Sequence, residues 1–294
     1  MKKIFSIITI MTLPVITMAQ TSAFKPAVLY GAIQKTDLMK PPFDKWFDST
    51  YAAYQPNAGT INTLSKLNTK DISIQVFMGT WCGDSKREVP RFMKTLDAIS
   101  FLQKNVSIVA LGDDSLYKQS PQHEEAGKGI FRVPVFIIYK NGVELNRINE
   151  FPAFSLEKDI LTILSNQPYS PNYRSFATIK NWLADGVLTD KNITARSLTM
   201  QIKYFVTGER ELNNLGYVLL EQGKKAEALK IFQVNANLYP ESSNILSSLG
   251  EGYLKNGDTK NAVQYEERAL ELNKDPQQVK PILKILYEAK GLQQ

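Results

Sequence analysis

Apolar and polar positions alternate from Ile72 to Val76, with Ser73 and Gln75 between Ile72, Ile74 and Val76. This period of two predicts a strand that ends at Gly79. The period then lengthens: Val89, Phe92, Met93 and Leu96 recur at helical spacing and predict one face of a helix starting just after Cys82. From Asn105 the run NVSIVALGDD has the apolar body and acidic stop of a buried strand leaving a sheet at its carboxyl edge. VPVFIIYKNGVELNRI reads as two strands joined at Asn141-Gly142, a pair suited to a turn whose two central residues both need positive φ. Leu156, Ile160, Ile163 and Leu164 mark a closing helix. A βαβ order followed by a hairpin and a helix predicts a mixed sheet with helices on its faces.

The flanks read differently. Residues 20–57 are mixed, with a break at Pro41-Pro42 and a helix in FDKWFDSTYAAY that packs on the next part of the chain. A connector over 166–208 carries QPYSPNY and two weak helical segments, 175–185 and 190–206. Beyond it the chain repeats: Leu215-Gly216 returns as Leu249-Gly250, Gly223 as Gly257, Ala228 as Ala262 and Leu238 as Leu272, always 34 residues apart. This pattern, with Pro240 after the first unit, resembles the tetratricopeptide repeat, with units at 209–242 and 243–276. The second unit departs from the pattern twice. Glu266 stands where the first has Phe232, with Tyr265 one residue early, and Lys274 replaces Pro240, with Pro276 two residues later; both changes are expected to loosen its packing and boundary. Val279, Ile282, Leu283 and Leu286 supply a final helix that caps the stack, completing a segment over 209–294.

Composition changes this picture in three places. At 294 residues and 43% apolar residues the chain is long enough for two domains. Lys2 and Lys3 precede an apolar run from Ile4 to Met18, and small residues at Thr17 and Ala19 sit where a signal peptidase reads, so 1–19 is expected to be a cleaved secretory signal. The alternative is an uncleaved membrane anchor, for which the run is short, with Pro14 inside it, against a span of about 20 residues. An exported chain is expected where disulfides persist, with no membrane span after signal removal. The formal charge of +6 is spread among acids along the chain, which argues against a nucleic-acid partner. Finally, Cys82 is the one cysteine, so it forms no internal disulfide; it is a free thiol, an intermolecular partner or an inert residue.

Its neighbours bear on that choice. Cys82 falls where a strand turns into a helix, and the unpaired N–H groups and macrodipole of a helix start favour a thiolate over a thiol. Lys86 and Arg87 act in the same direction, whereas Asp84 opposes a second negative charge, so the sign of the net effect stays open. Ser85 can donate a hydrogen bond to a thiolate at Cys82, and it is equally a suitable residue for the first turn of any helix.

The residues Trp81-Cys82-Gly83-Asp84-Ser85-Lys86, with Pro90 later in the helix, resemble the active-site turn of the thioredoxin family, and Val133-Pro134 followed by Tyr139-Lys140-Asn141-Gly142 resembles that family's cis-proline strand and hairpin. The resemblance covers about residues 58–165 and implies an α/β thioredoxin-like domain followed by the all-α repeat segment. It makes Cys82 the attacking thiol, Trp81 the wall beside it, Pro134 the cis-proline opposite, and Val133 a source of backbone groups for an extended peptide. Pro134 also reads as an edge-strand proline. Arg132 reads either as a groove residue or as an ordinary surface charge. Two departures matter more than the matches: Ser85 stands in place of the family's second cysteine, and Val76 in place of its buried carboxylate. A hydroxyl cannot resolve a mixed disulfide, so the dithiol cycle is missing while the first attack is retained.

Two functions are compatible with this pattern. In one, a monothiol enzyme uses Cys82 on a disulfide-containing protein or a low-molecular-weight thiol adduct, and an external thiol finishes the exchange. In the other, a binding module takes an extended peptide in the cis-proline groove and a protein partner on the repeats. The repeats themselves either present a concave surface or pack on the preceding domain. Neither function needs a cofactor. His123 is the sole histidine, Asp113-Asp114 read as a strand end rather than metal ligands, and no phosphate loop or dinucleotide fingerprint occurs.

Overall fold

The computed structural model describes residues 27–292, and the expected signal segment at 1–19 lies outside them. The chain enters on a three-residue strand, β1 (Gly31–Ile33), followed by α1 (Lys35–Leu38), α2 (Asp44–Ala53) and α3 (Ala58–Leu64). Next come β2 (Ile72–Met78), α4 (Gly83–Ala98), β3 (Val106–Ala110), β4 (Val135–Lys140), β5 (Val143–Asn149) and α5 (Leu156–Leu164). The five strands form one sheet in the order β1-β3-β2-β4-β5, with β2 and β3 parallel and the other neighbours antiparallel. The mixed sheet expected from the sequence is therefore present. The β4–β5 turn uses Asn141 at φ 51 and Gly142 at φ 79, the two positive values its sequence predicted.

Because β2 is central, both of its faces are covered, and each cover is different. On one face Val76 meets Val89, Phe92, Met93 and Leu96 of α4 and Ile160 and Ile163 of α5. Phe92 stacks on Phe136 at 4.1 Å, and burying each ring contributes roughly 1.5–3 kcal/mol. Leu38 of α1 and Phe47 of α2 belong to this same core, so the segment before residue 58 packs into the sheet's helical layer rather than standing apart. On the other face, Phe77, Val109, Val135 and Ile137 are covered by Leu111, Ile130 and Val133 from the long β3–β4 loop.

The outer strand β5 is flanked by residues 169–172. Asn146 Nδ2 donates to Tyr169 O at 3.2 Å and Asn149 Nδ2 to Asn172 O at 3.0 Å, while Asn172 Nδ2 donates to Phe151 O at 2.7 Å.

The remaining elements are helical: α6 (Ser175–Ala184), α7 (Ala195–Ile202), α8 (Glu209–Glu221), α9 (Lys225–Leu238), α10 (Ser243–Lys255), α11 (Thr259–Leu272) and α12 (Pro276–Ala289). The repeated glycines explain the helix pairs. A methyl group at Gly216 would collide with the Phe232 ring, and one at Gly250 would lie 2.9 Å from Glu266 Cγ. Glu266 thus occupies the crossing that Phe232 fills in the first pair, and it is fully buried. The expected loosening at this residue does not occur, because the carboxyl's aliphatic stem fills the gap and Ser247 Oγ donates to Glu266 Oε2 at 2.8 Å. The helices also join the sheet: Phe131 from the β3–β4 loop is buried in the helical core and meets Phe176 edge-on at 5.2 Å.

Burial pushes the Glu266 carboxyl up from 4.5 to about 8, with Ser247 opposing the effect and Glu251 adding to it; Oε1 has no hydrogen-bond partner among the described residues. The folded protein keeps a proton that the unfolded chain releases, so the contribution is complete below about 4.5 and is lost as pH rises to about 8. Urea unfolding should therefore show stability falling by a few kcal/mol across that window from this residue. Glu266→Gln should flatten that dependence; an unchanged pH slope in the variant refutes the assignment.

Candidate functional site

β2 must reverse into α4 within four residues, and glycine begins the turn. A side chain at Gly79 would sit 2.6 Å from Trp81 Cε2, so the indole can fold back only over a bare backbone. Cys82 N donates to Gly79 O at 3.0 Å and closes the turn, and Leu29 N, ahead of β1, donates to the buried Thr80 Oγ1 at 3.1 Å. Cys82 is the N-cap residue of α4, with extended dihedrals of φ −81 and ψ 127, and its carbonyl accepts from Lys86 N at 3.0 Å. The residue is half-buried, and its side chain packs against the cluster of Phe77, Val109 and Val133.

The β3–β4 loop brings the rest of the site up to the sulfur. Cys82 Sγ donates to Val133 O at 3.3 Å, and the Val133-Pro134 peptide is cis. Pro134 O in turn accepts from Glu150 N at 2.6 Å, which fixes the end of β5 beside the site. Trp81 Nε1 donates to Leu111 O at 2.9 Å, and its ring lies 5.9 Å from that of Tyr117. Trp81, Cys82, Val133 and Pro134, singled out in the sequence, are thus brought together at one end of the sheet.

The other expected residues are placed less directly. Ser85 is fully buried, and its hydroxyl accepts from Gly79 N–H at 3.2 Å. It braces the turn from below, bonded to the backbone rather than to the thiol. Asp84 pairs with Arg87 Nη2 at 2.7 Å, which partly neutralises the carboxylate, and Lys86 is half-buried on the first turn. Arg132 is neither in open groove nor on open surface. Its guanidinium lies 3.4 Å from Glu150 Oε1 and 5.1 Å from the Tyr173 ring centroid, and it donates to Arg210 O at 3.3 Å. With the Asn214 amide oriented to match, Asn214 Oδ1 accepts from it at 2.9 and 3.0 Å. Arg132 therefore ties the residue before Val133 to α8.

Three further residues close the site without any warning in the sequence. Tyr117 and Lys118 lie in the aperiodic loop after β3, and Glu150 follows β5, hydrogen-bonded to Tyr173 OH. Burial pushes Glu150 up from the ordinary carboxylate value, with Arg132 opposing it. Among the described residues no group of three or more His, Cys, Asp and Glu is placed to hold a metal ion, and no helix is long and apolar enough to cross a membrane.

A family model described as tetratricopeptide repeat matches residues 245–280, which takes in α10, α11 and the start of α12. This part of the chain is thus similar to tetratricopeptide repeats, a class that suggests a protein partner. No curated protein matches the chain at a significant level.

The brace beneath the turn is testable. Ser85→Ala leaves the Gly79 N–H without its acceptor, so chemical denaturation should show a loss of about 1–3 kcal/mol. A variant as stable as the parent would show that the Ser85–Gly79 bond contributes nothing.

Proposed function

We propose that the chain is an exported thioredoxin-like protein that works through one thiol. In this reading the thioredoxin-like resemblance covers 58–165, with β1, α1 and α2 completing its sheet and core from ahead of that span, 166–208 connects it to the repeats, and the protein acts in the periplasm or outside the cell. The supporting observation is the meeting of half-buried Cys82, at the origin of α4, with Val133 O at 3.3 Å and the cis Val133-Pro134 peptide. Trp81 walls one side.

The chemistry is ordinary thiol–disulfide exchange. Cys82, deprotonated, attacks one sulfur of a substrate disulfide; a bond forms between Cys82 Sγ and that sulfur, and the other leaves as a thiolate that takes up a proton. Cys82 is oxidised to the mixed disulfide as the leaving sulfur is reduced. An external thiol then attacks the mixed disulfide and frees Cys82. Ser85 takes no part in that release, since a buried hydroxyl has no sulfur to offer. Asp84 and Lys86 act on the thiol only through their charges.

A second reading, a peptide- or protein-binding module, draws on the repeat match and on a cavity of about 460 Å³ bordered by Asn237, Pro240, Leu246, Tyr253, Tyr265 and Arg268. Its floor carries a stacked pair, Tyr253 and Tyr265, at 5.4 Å.

One comparison separates the two. Wild type should reduce a glutathionylated peptide in the presence of excess low-molecular-weight thiol, and Cys82→Ser should lose that turnover to background. Peptide binding that survives Cys82→Ser, with no turnover by wild type, would replace the exchange reading with the module.

A further inference from the structure

A cavity of about 680 Å³ opens between β5, residues 169–174 and α6, and none of Trp81, Cys82, Val133 and Pro134 lines it. A space of roughly 300–1,000 Å³ takes a small organic molecule. Residues of little bulk keep it open. Ala177 and Thr178 form part of the α6 wall, and at Gly129, with φ 65, an added methyl carbon would lie 3.3 Å from Lys180 Cδ. The walls are held by the protein's own bonds: Arg147 Nη1 donates to Lys128 O at 2.6 Å, and the Asn146 and Asn149 amides bind the backbone of Tyr169 and Asn172.

The charges of the lining do not balance. Arg147, Arg174 and Lys180 face a single carboxylate, Glu144. That carboxylate is already engaged: Arg147 Nε and Nη2 donate to its two oxygens at 2.6 and 2.8 Å, and Lys180 Nζ lies 3.6 Å from Oε2. Burial alone would raise Glu144, yet the Arg147 and Lys180 cations hold it below the ordinary carboxylate value, so it stays ionised and matched to them. Arg174 has no such partner. Among the described residues no carboxylate pairs with it; its Nη2 donates to Tyr204 O at 3.3 Å, and its guanidinium lies 5.5 Å from the Phe205 ring centroid. Asn149, which also lines the cavity, is 4% exposed, and no donor among the described residues reaches its Oδ1. A polar side chain this deep ordinarily has its hydrogen bonds filled.

We propose that this cavity binds a small organic anion: a carboxylate or phosphate held by Arg174, carried on a flat apolar ring beside Phe205, with a ligand N–H or O–H donating to Asn149 Oδ1. The planar fork of a guanidinium suits either headgroup, through two parallel hydrogen bonds. Lys180 adds positive charge to the same space. The site shares no residue with the turn that holds Cys82, so it stands whether or not the thiol exchanges disulfides.

Calorimetric titration of the full mature chain tests both headgroups, with N-acetyltryptophan as the carboxylate and uridine 5′-monophosphate as the phosphate. N-Acetyltryptophanamide and uridine are their uncharged counterparts. At least one anion should bind with a Kd below about 1 mM, and about tenfold or more tightly than its counterpart. Binding of the first alone assigns the site to organic acids, and binding of the second alone assigns it to phosphate esters. Arg174→Gln should weaken that binding about tenfold, the loss expected for a hydrogen-bonded charge. Ala177→Phe should abolish it by placing a ring in the cavity. Both positions are exposed, and circular dichroism checks that each variant folds; if one does not, the other decides. Binding of neither anion below about 1 mM, anions no tighter than their uncharged counterparts, or affinity unchanged in a folded variant overturns the proposal.

Discussion

The reversal between β2 and α4 is the constraint on which the site depends. β2 is covered on both faces, and the chain passes from its end into α4 within four residues. The glycine at 79 yields to the Trp81 indole, the backbone bond from Cys82 N to Gly79 O closes the turn, and the Ser85 hydroxyl anchors it to the helix. Cys82 is consequently the last extended residue before α4, its sulfur donating to Val133 O and its side chain packed against the cluster that holds Val133. A sulfur held this way is fixed by four residues of local geometry.

The site is completed by a loop rather than by regular structure. The face of the sheet opposite α4 carries Leu111, Ile130 and Val133 in place of a helix, and the same loop supplies Tyr117, Lys118 and Arg132. Arg132 then reaches α8, and Phe131 enters the helical core. The repeats are thus joined to the loop that faces the sulfur, and any movement of α8 would be felt at the residue next to Val133. Of the two sequence-level roles for the helices, packing on the preceding unit is realised in these contacts, and the cavity beside Tyr253 leaves room for a partner as well.

Periodicity sets the limit on how much of the fold is legible in the sequence. The strand at Ile72–Met78, the helix beyond Cys82 and the Asn141-Gly142 hairpin each have a repeating or a two-residue signal. β1 has three residues, too few to show a period, and it is a strand only because β3 offers it an edge to pair with. α3 is likewise too short to show a repeating face, although Asn57, which accepts from Thr60 N, is a fair N-cap signal for it. Glu150 is invisible for a different reason: its partners Arg132 and Tyr173 lie 18 and 23 residues away in the chain, and Lys118 sits in a loop with no period to read. Glu266 misleads in the opposite sense, since an acid at an aromatic position suggests a gap, and only the packing against Gly250 shows that its methylenes fill it.

The asparagines beside β5 have one more effect. A sheet whose outer strand shows bare N–H and C=O groups invites another copy of itself to pair there, and crowding makes that route to fibrils faster. Asn146 and Asn149 place residues 169–172 along that rim, and Asn172 binds back to Phe151. A side-chain fence of this kind guards the protein against self-association in a concentrated compartment without adding a sixth strand.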